Sequence, residues 1–167
     1  MKSAPPDRPS AEGLRVALLR SRFNAAVSDG LVEGARAALE QMGAARIAVF
    51  DVPGAFELPL AARAAARSKR FDAVVALGAV IRGETDHYEH VAREASAGLA
   101  AVARETGVPV GFGVLTVRAP EQAEKRSRPG PDNKGAEAAR AAVAMVHTLR
   151  ALGRGSARRA RSRPRAR

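Results

Sequence analysis

The chain has no cysteine and no tryptophan, and only one tyrosine and five phenylalanines. Without thiols it has neither a disulfide framework nor a thiolate metal site. Its three histidines, His87, His90 and His147, fall in no HExxH or comparable ligand spacing, so no metal is expected. No apolar run approaches the roughly 20 residues of a membrane span. The opening MKSAPPDRPSAEG lacks the apolar core of a signal peptide, and a cytoplasmic protein is expected. Acidic residues are absent from the last segment, where Arg154, Arg158, Arg159, Arg161, Arg163, Arg165 and Arg167 supply seven positive charges. The net charge of +11 is therefore mostly a property of that tail, and the rest of the chain carries +4. Glycine, serine and proline punctuate the tail, so residues 154–167 are expected to be disordered and 1–13 to form a flexible arm.

Between these ends, 167 residues leave room for one domain with a full core, placed at 14–153. The stretch that organises it is ALGAVIRGETDHYEHV, residues 76–91. Phe71 to Ile81 is an almost unbroken valine-rich apolar run, the pattern of a parallel strand covered on both faces. Tyr88, Val91, Ala95, Leu99 and Val102 then recur at helical spacing, and the helix is predicted to start at Thr85 or Asp86, with Glu89 completing a capping box. His87 thus falls in a helix first turn at the carboxyl edge of a sheet, where anions are held.

Further strands are predicted at Leu14 to Leu19, Arg46 to Val52 and Val110 to Val117. Helices are predicted over Val27 to Met42, Glu57 to Lys69, Pro120 to Arg126 and Lys134 to Leu152. Strands alternating with helices across short loops define an α/β three-layer α/β/α sandwich on a four-stranded parallel sheet. Ligands of such sheets bind outside the strands' carboxyl ends. There the chain places RFN, VPGAFELP and IRGETDH, so Phe23, Phe56, Glu57, Thr85 and His87 can converge on one crevice. Two phenylalanines on loops are costly to leave in water, and a flat heterocycle would account for one of them. No loop carries GxGxxG or GxxxxGKS, which argues against a dinucleotide or nucleoside triphosphate.

Each of these residues also has an ordinary explanation. Phe23, Phe56 and Phe112 can be core; Glu57 and Lys134 can be helix-start residues; His87 and Arg126 can be solvated; Gly78, Gly83 and Gly113 can serve close packing. Their combination is what needs explaining.

With RFN, VPGAFELP, ALGAVIRGETDHYEHV, GFGVLTV, EQAEKR and NKGAEAA in that order, the chain from Leu14 to Leu152 resembles the lumazine synthase family. The resemblance implies a flavodoxin-like fold with strand order 2-1-3-4 and a homopentamer with active sites between subunits. It also implies condensation of 5-amino-6-(D-ribitylamino)uracil with 3,4-dihydroxy-2-butanone 4-phosphate in riboflavin biosynthesis, a transferase reaction without metal or organic cofactor. Association with riboflavin synthase is a further partner that it suggests. Position by position, it makes Phe23 the residue stacked on the pyrimidine, and Ala55, Phe56 and Glu57 the ribityl-binding segment. Ala79, Val80 and Ile81 become the backbone that reads the ring edge, Glu84 and Thr85 the phosphate loop, and His87 the proton shuttle. From the adjacent subunit it brings Phe112 over the pyrimidine, Arg126 onto the phosphate and Lys134 nearby. The turn Arg128-Pro129-Gly130-Pro131-Asp132 departs from the Gly-Thr-Lys-Ala-Gly-like turn that many relatives use to build sixty-subunit shells, so the resemblance carries the pentamer and not the shell. Two other readings compete: a flavin- or lumazine-binding relative without catalysis, which needs neither His87 nor Arg126, and a basic scaffold that binds nucleic acid through the tail, which leaves the loops unexplained.

Overall fold

A computed structural model describes residues 9–161. Strands β1 (Arg15–Ser21), β2 (Arg46–Val52), β3 (Ala73–Ile81) and β4 (Val110–Val117) alternate with helices α1 (Ala25–Gln41), α2 (Leu58–Arg67), α3 (His87–Thr106), α4 (Pro120–Ser127) and α5 (Lys134–Arg161). A 3-10 turn, Ala55–Glu57, leads into α2. The strands are parallel in the order β2-β1-β3-β4, the doubly wound flavodoxin-like arrangement.

Every residue of β3 from Ala73 to Val80 is buried, as a central strand covered on both faces requires. Alternate side chains divide between two cores. Val16, Leu18, Val75, Leu77 and Leu115 meet α1, α4 and α5, whereas Ala17, Leu19, Val74, Ala76 and Val114 meet α2 and α3. On β4 the alternation includes Gly111 and Gly113, and a Cβ at Gly113 would stand 2.5 Å from Leu77 Cδ2 and 3.3 Å from Ala138 Cβ. The two glycines and the alanines of α5 bring helix and strand backbones close together.

Several element ends differ from expectation. β3 begins after Phe71, whose buried ring meets Phe50 edge-on, with centroids 5.8 Å apart. The capping box at Asp86 and Glu89 does not form, because Asp86 takes helical dihedrals and its side chain caps nothing; the His87 N–H meets Thr85 Oγ1 instead, at a long 3.4 Å. Residues 11–13, read as the end of a flexible arm, are held on the domain. Ala11 is fully buried and donates to the Met42 carbonyl at 2.7 Å, and Glu12 bridges to Ala44. Helix α5 runs past Leu152 to Arg161, so the segment expected to be disordered begins as its last turns. Gly153 and Gly155 raise the cost of helix by only about 1 kcal/mol each relative to alanine, and no proline intervenes before Pro164. The remainder of both terminal segments, 1–8 and 162–167, lies outside the described residues.

At the opposite edge of the sheet from the strand exits, Asp72 ties the starts of β1 and β3. Its Oδ2 accepts from the Arg15 backbone N–H at 2.8 Å and from Arg15 Nε at 3.1 Å. Partial burial pushes the carboxyl up, but these hydrogen bonds and the Arg15 charge outweigh it and hold the group below its usual range. A depressed folded-state pKa stabilises the protein above the unfolded value, near pH 4, and the contribution is lost as pH falls through the folded-state value. Asp72→Asn should therefore unfold at lower denaturant than the parent at pH 7, with the difference shrinking below about pH 4. Denaturant midpoints at the two pH values check this.

Candidate active site

β1, β2 and β3 end side by side, and the loops leaving them enclose a cavity of about 560 Å³. The β1 and β2 loops remain joined beyond the strands, since Arg22 N–H donates to Val52 O at 2.9 Å and Phe23 N–H to Pro53 O at 3.2 Å. Just before this point Arg20 bridges Asp29 of α1 at 2.6 Å and Asp51 of β2 at 2.8 Å, and its guanidinium pKa rises, chiefly through the Asp51 hydrogen bond. That bridge ties the start of α1 to the ends of β1 and β2.

Phe23 and Phe56 line the cavity and are 72% and 59% exposed, so neither is a core plug. Ala55 and Glu57 join them from the 3-10 turn, Ala79, Val80 and Ile81 from the end of β3, and Thr85 and His87 from the start of α3. One carboxylate oxygen of Glu57 closes its own turn, accepting from Gly54 N–H at 2.9 Å. The other oxygen has no partner among the described residues and is available to a hydroxyl or amine. Gly83 is unconstrained by packing, as a Cβ there meets nothing within 4 Å. Glu84 is exposed and does not line the cavity. The loop's contribution is its main chain: among the described residues nothing accepts from the N–H groups of Glu84 and Thr85, next to the positive end of α3.

Phe112, Arg126 and Lys134 lie elsewhere, in a second cavity of about 460 Å³ along the free edge of β4, between that strand and α4 and α5. Phe112 is 48% exposed rather than core. Arg126 Nη1 donates to the Gln122 carbonyl at 2.9 Å on its own helix, and Lys134 Nζ pairs with Glu137. The nine residues that the resemblance assigns to one subunit's loops, other than Glu84, thus gather in the first cavity, and the three assigned to its neighbour gather in the second.

Several residues of these sites carried no role in the sequence reading. Tyr88 and Val91 were counted as core positions by their helical spacing; they pack partly on the core and also line the first cavity, with His90 and Asn24 beside them. Asn133 is 2% exposed at the head of α5, and its amide donates to the carbonyls of Gly30, Ser127 and Arg128 at 2.8 to 3.1 Å while its oxygen accepts from Ala136 N–H at 3.0 Å. It binds α1, the end of α4 and the start of α5 together, and so holds Arg126 and Lys134 in place. Among the described residues no three metal-ligating side chains come together.

A doubly wound parallel sheet whose carboxyl-edge loops gather aromatic rings, a carboxylate, a histidine and a helix start around one cavity defines a flavodoxin-like α/β protein. Residues 13–150 match the family described as 6,7-dimethyl-8-ribityllumazine synthase, and the chain belongs to that family. The match covers most of the chain and stops short of the arginine-rich segment. No described helix is long and apolar enough to cross a membrane.

Proposed function

We propose that the protein is a cytoplasmic transferase of riboflavin biosynthesis that condenses 5-amino-6-(D-ribitylamino)uracil with 3,4-dihydroxy-2-butanone 4-phosphate. It releases phosphate and two waters to give 6,7-dimethyl-8-ribityllumazine. The observation that carries this reading is the division of the site residues between two cavities, one at the strand exits with exposed phenylalanines and one at a free sheet edge with Arg126 and Lys134. Each is half of a site for a planar phosphorylated pair of substrates. A second copy whose β4 edge faces the strand exits completes it, in a homo-oligomer proposed to be a pentamer.

In the completed site Phe23 and the partner copy's equivalent of Phe112 sandwich the pyrimidine. The Ala55 to Glu57 turn takes the ribityl chain, with the unengaged Glu57 oxygen accepting from its hydroxyls. The main chain of Ala79 to Ile81 meets the ring edge. N–H groups at Glu84 and Thr85 and an arginine equivalent to Arg126 hold the phosphate, with Lys134 close by.

The 5-amino group attacks the ketone, and the carbinolamine loses water to form an imine. Elimination then expels phosphate, and the ribitylamino nitrogen closes the second ring with loss of another water. His87 moves protons in the imine and elimination steps. Arg126 and the start of α3 stabilise charge as it accumulates on the departing phosphate. Much of the acceleration comes from holding two reactants in one geometry. His87→Ala should accordingly lower kcat by about 10²-fold and leave turnover measurable above background.

Absorbance at the lumazine chromophore after mixing the protein with both substrates tests the reading. Product above the uncatalysed rate supports it. A folded oligomer that binds the ribitylaminouracil and makes no product would favour a binding protein instead.

A further inference from the structure

Asn24 stands at the N-cap position of α1, where an asparagine side chain ordinarily accepts from the first helical N–H groups. It makes no such bond. Its backbone is left-handed, at φ 58° and ψ 50°, a region asparagine tolerates better than most residues, and its own carbonyl accepts from Val27 and Ser28 at 3.0 and 3.1 Å. The side chain instead crosses to β3, where Nδ2 donates to the Ala79 carbonyl at 3.0 Å, and Asn24 lines the first cavity.

The reason lies in the sheet. The last β1 residue paired with β3 is Arg20, opposite Leu77, so β3 runs on past its neighbour. Arg82 N–H is bound to Val117 O on the β4 side. Successive residues of a strand turn their peptide groups to opposite sides, so Ala79 and Ile81 present theirs to the side that β1 has vacated. Asn24 fills the place of the missing strand at Ala79 and, among the described residues, leaves the main chain of Ile81 open on that side.

We infer that Asn24 is a positioning residue for ring recognition, whose amide withdraws the Ala79 carbonyl from the ligand and locks the Phe23 turn against β3. The heterocycle is then read by the Ile81 main chain under a Phe23 ring held at fixed height. The inference rests on the reading that the first cavity takes the ribitylaminouracil.

Asn24→Gly keeps the left-handed backbone and removes the amide, whereas Asn24→Asp keeps the size and sets a carboxylate against a carbonyl oxygen. Both should raise KM for the ribitylaminouracil by about tenfold, Asn24→Asp at least as much as Asn24→Gly, with KM for the butanone phosphate unchanged. The Kd of 6,7-dimethyl-8-ribityllumazine, followed by its own fluorescence on the full-length oligomer, should rise by the same factor; this titration needs no turnover. Parental constants in Asn24→Gly would overturn the inference, since only the backbone would then matter, as would equal rises in both KM values. An inactive parent that still binds the lumazine, with the Asn24 variants binding more weakly, would sink the enzyme reading and leave the positioning role standing.

Discussion

Arg126→Ala is expected to lower kcat/KM by about 10²- to 10³-fold, the cost of removing a charge-assisted, preorganised donor from an anion whose charge grows in the transition state. The loss should fall mainly on the butanone phosphate. Binding of the ribitylaminouracil should be nearly unchanged, because in the proposed site the second cavity meets the pyrimidine through Phe112 and the phosphate through Arg126. Arg126→Lys should recover only part of the activity, since a point charge cannot reproduce the guanidinium fork. Substrate titrations of the three proteins check this, and a solvated surface arginine would leave all of these constants alone. Among the described residues Arg126 bonds only to a carbonyl of its own helix, which gives no structural reason for a large effect.

Asn133→Ala should cost about 2 to 4 kcal/mol of stability. Four main-chain groups lose the Asn133 side chain at once, the carbonyls of Gly30, Ser127 and Arg128, which share its two amide hydrogens, and the N–H of Ala136. Asn133→Asp should be no better, because it keeps the helix cap and presents a carboxylate to three carbonyl oxygens. Gly34→Ala makes the same point from the other side, since a methyl there would overlap the Asn133 amide. Against a typical net stability of about 5 to 15 kcal/mol these are large losses. Denaturant midpoints at matched protein concentration measure them, the concentration being fixed because association adds to apparent stability. Where the Asn133 variants remain folded, activity should fall as well, because α4 and the head of α5 carry Arg126 and Lys134.

The sheet was legible because its signal is local. β3 declared itself as a buried apolar run and β4 as a short valine-rich one, and the helices by alanine-rich periodicity; the order 2-1-3-4 came from the family resemblance, because hydrophobic pattern does not encode which strands are neighbours. The loop residues Phe23, Phe56, Glu57, Thr85 and His87, which line one cavity, were singled out as candidates by one topological rule, that ligands sit at the strands' carboxyl ends. Asn24 and Asn133 were quoted within motifs but given no role, since their partners, Ala79 and Gly30, are 55 and 103 positions away. Tyr88 shows a different limit: helical spacing marks a face that packs inward, and at the first turn of α3 that face serves the core and the cavity together. The end of α5 was placed too early because glycine was taken as a stop in a segment where nothing else interrupts the helix.

Complementation between two defective variants tests the central claim, that the enzyme's site is assembled from the strand exits of one copy and the β4 edge of the next. A Phe23→Ala/Glu57→Ala double variant damages the first half, Arg126→Ala the second, and each alone should make little product. Co-expressed so that the oligomers are mixed, they contain junctions at which both halves are intact, and lumazine formation should rise well above that of either parent. A mixed oligomer no more active than the average of its parents would contradict the shared site and return both cavities to a single chain.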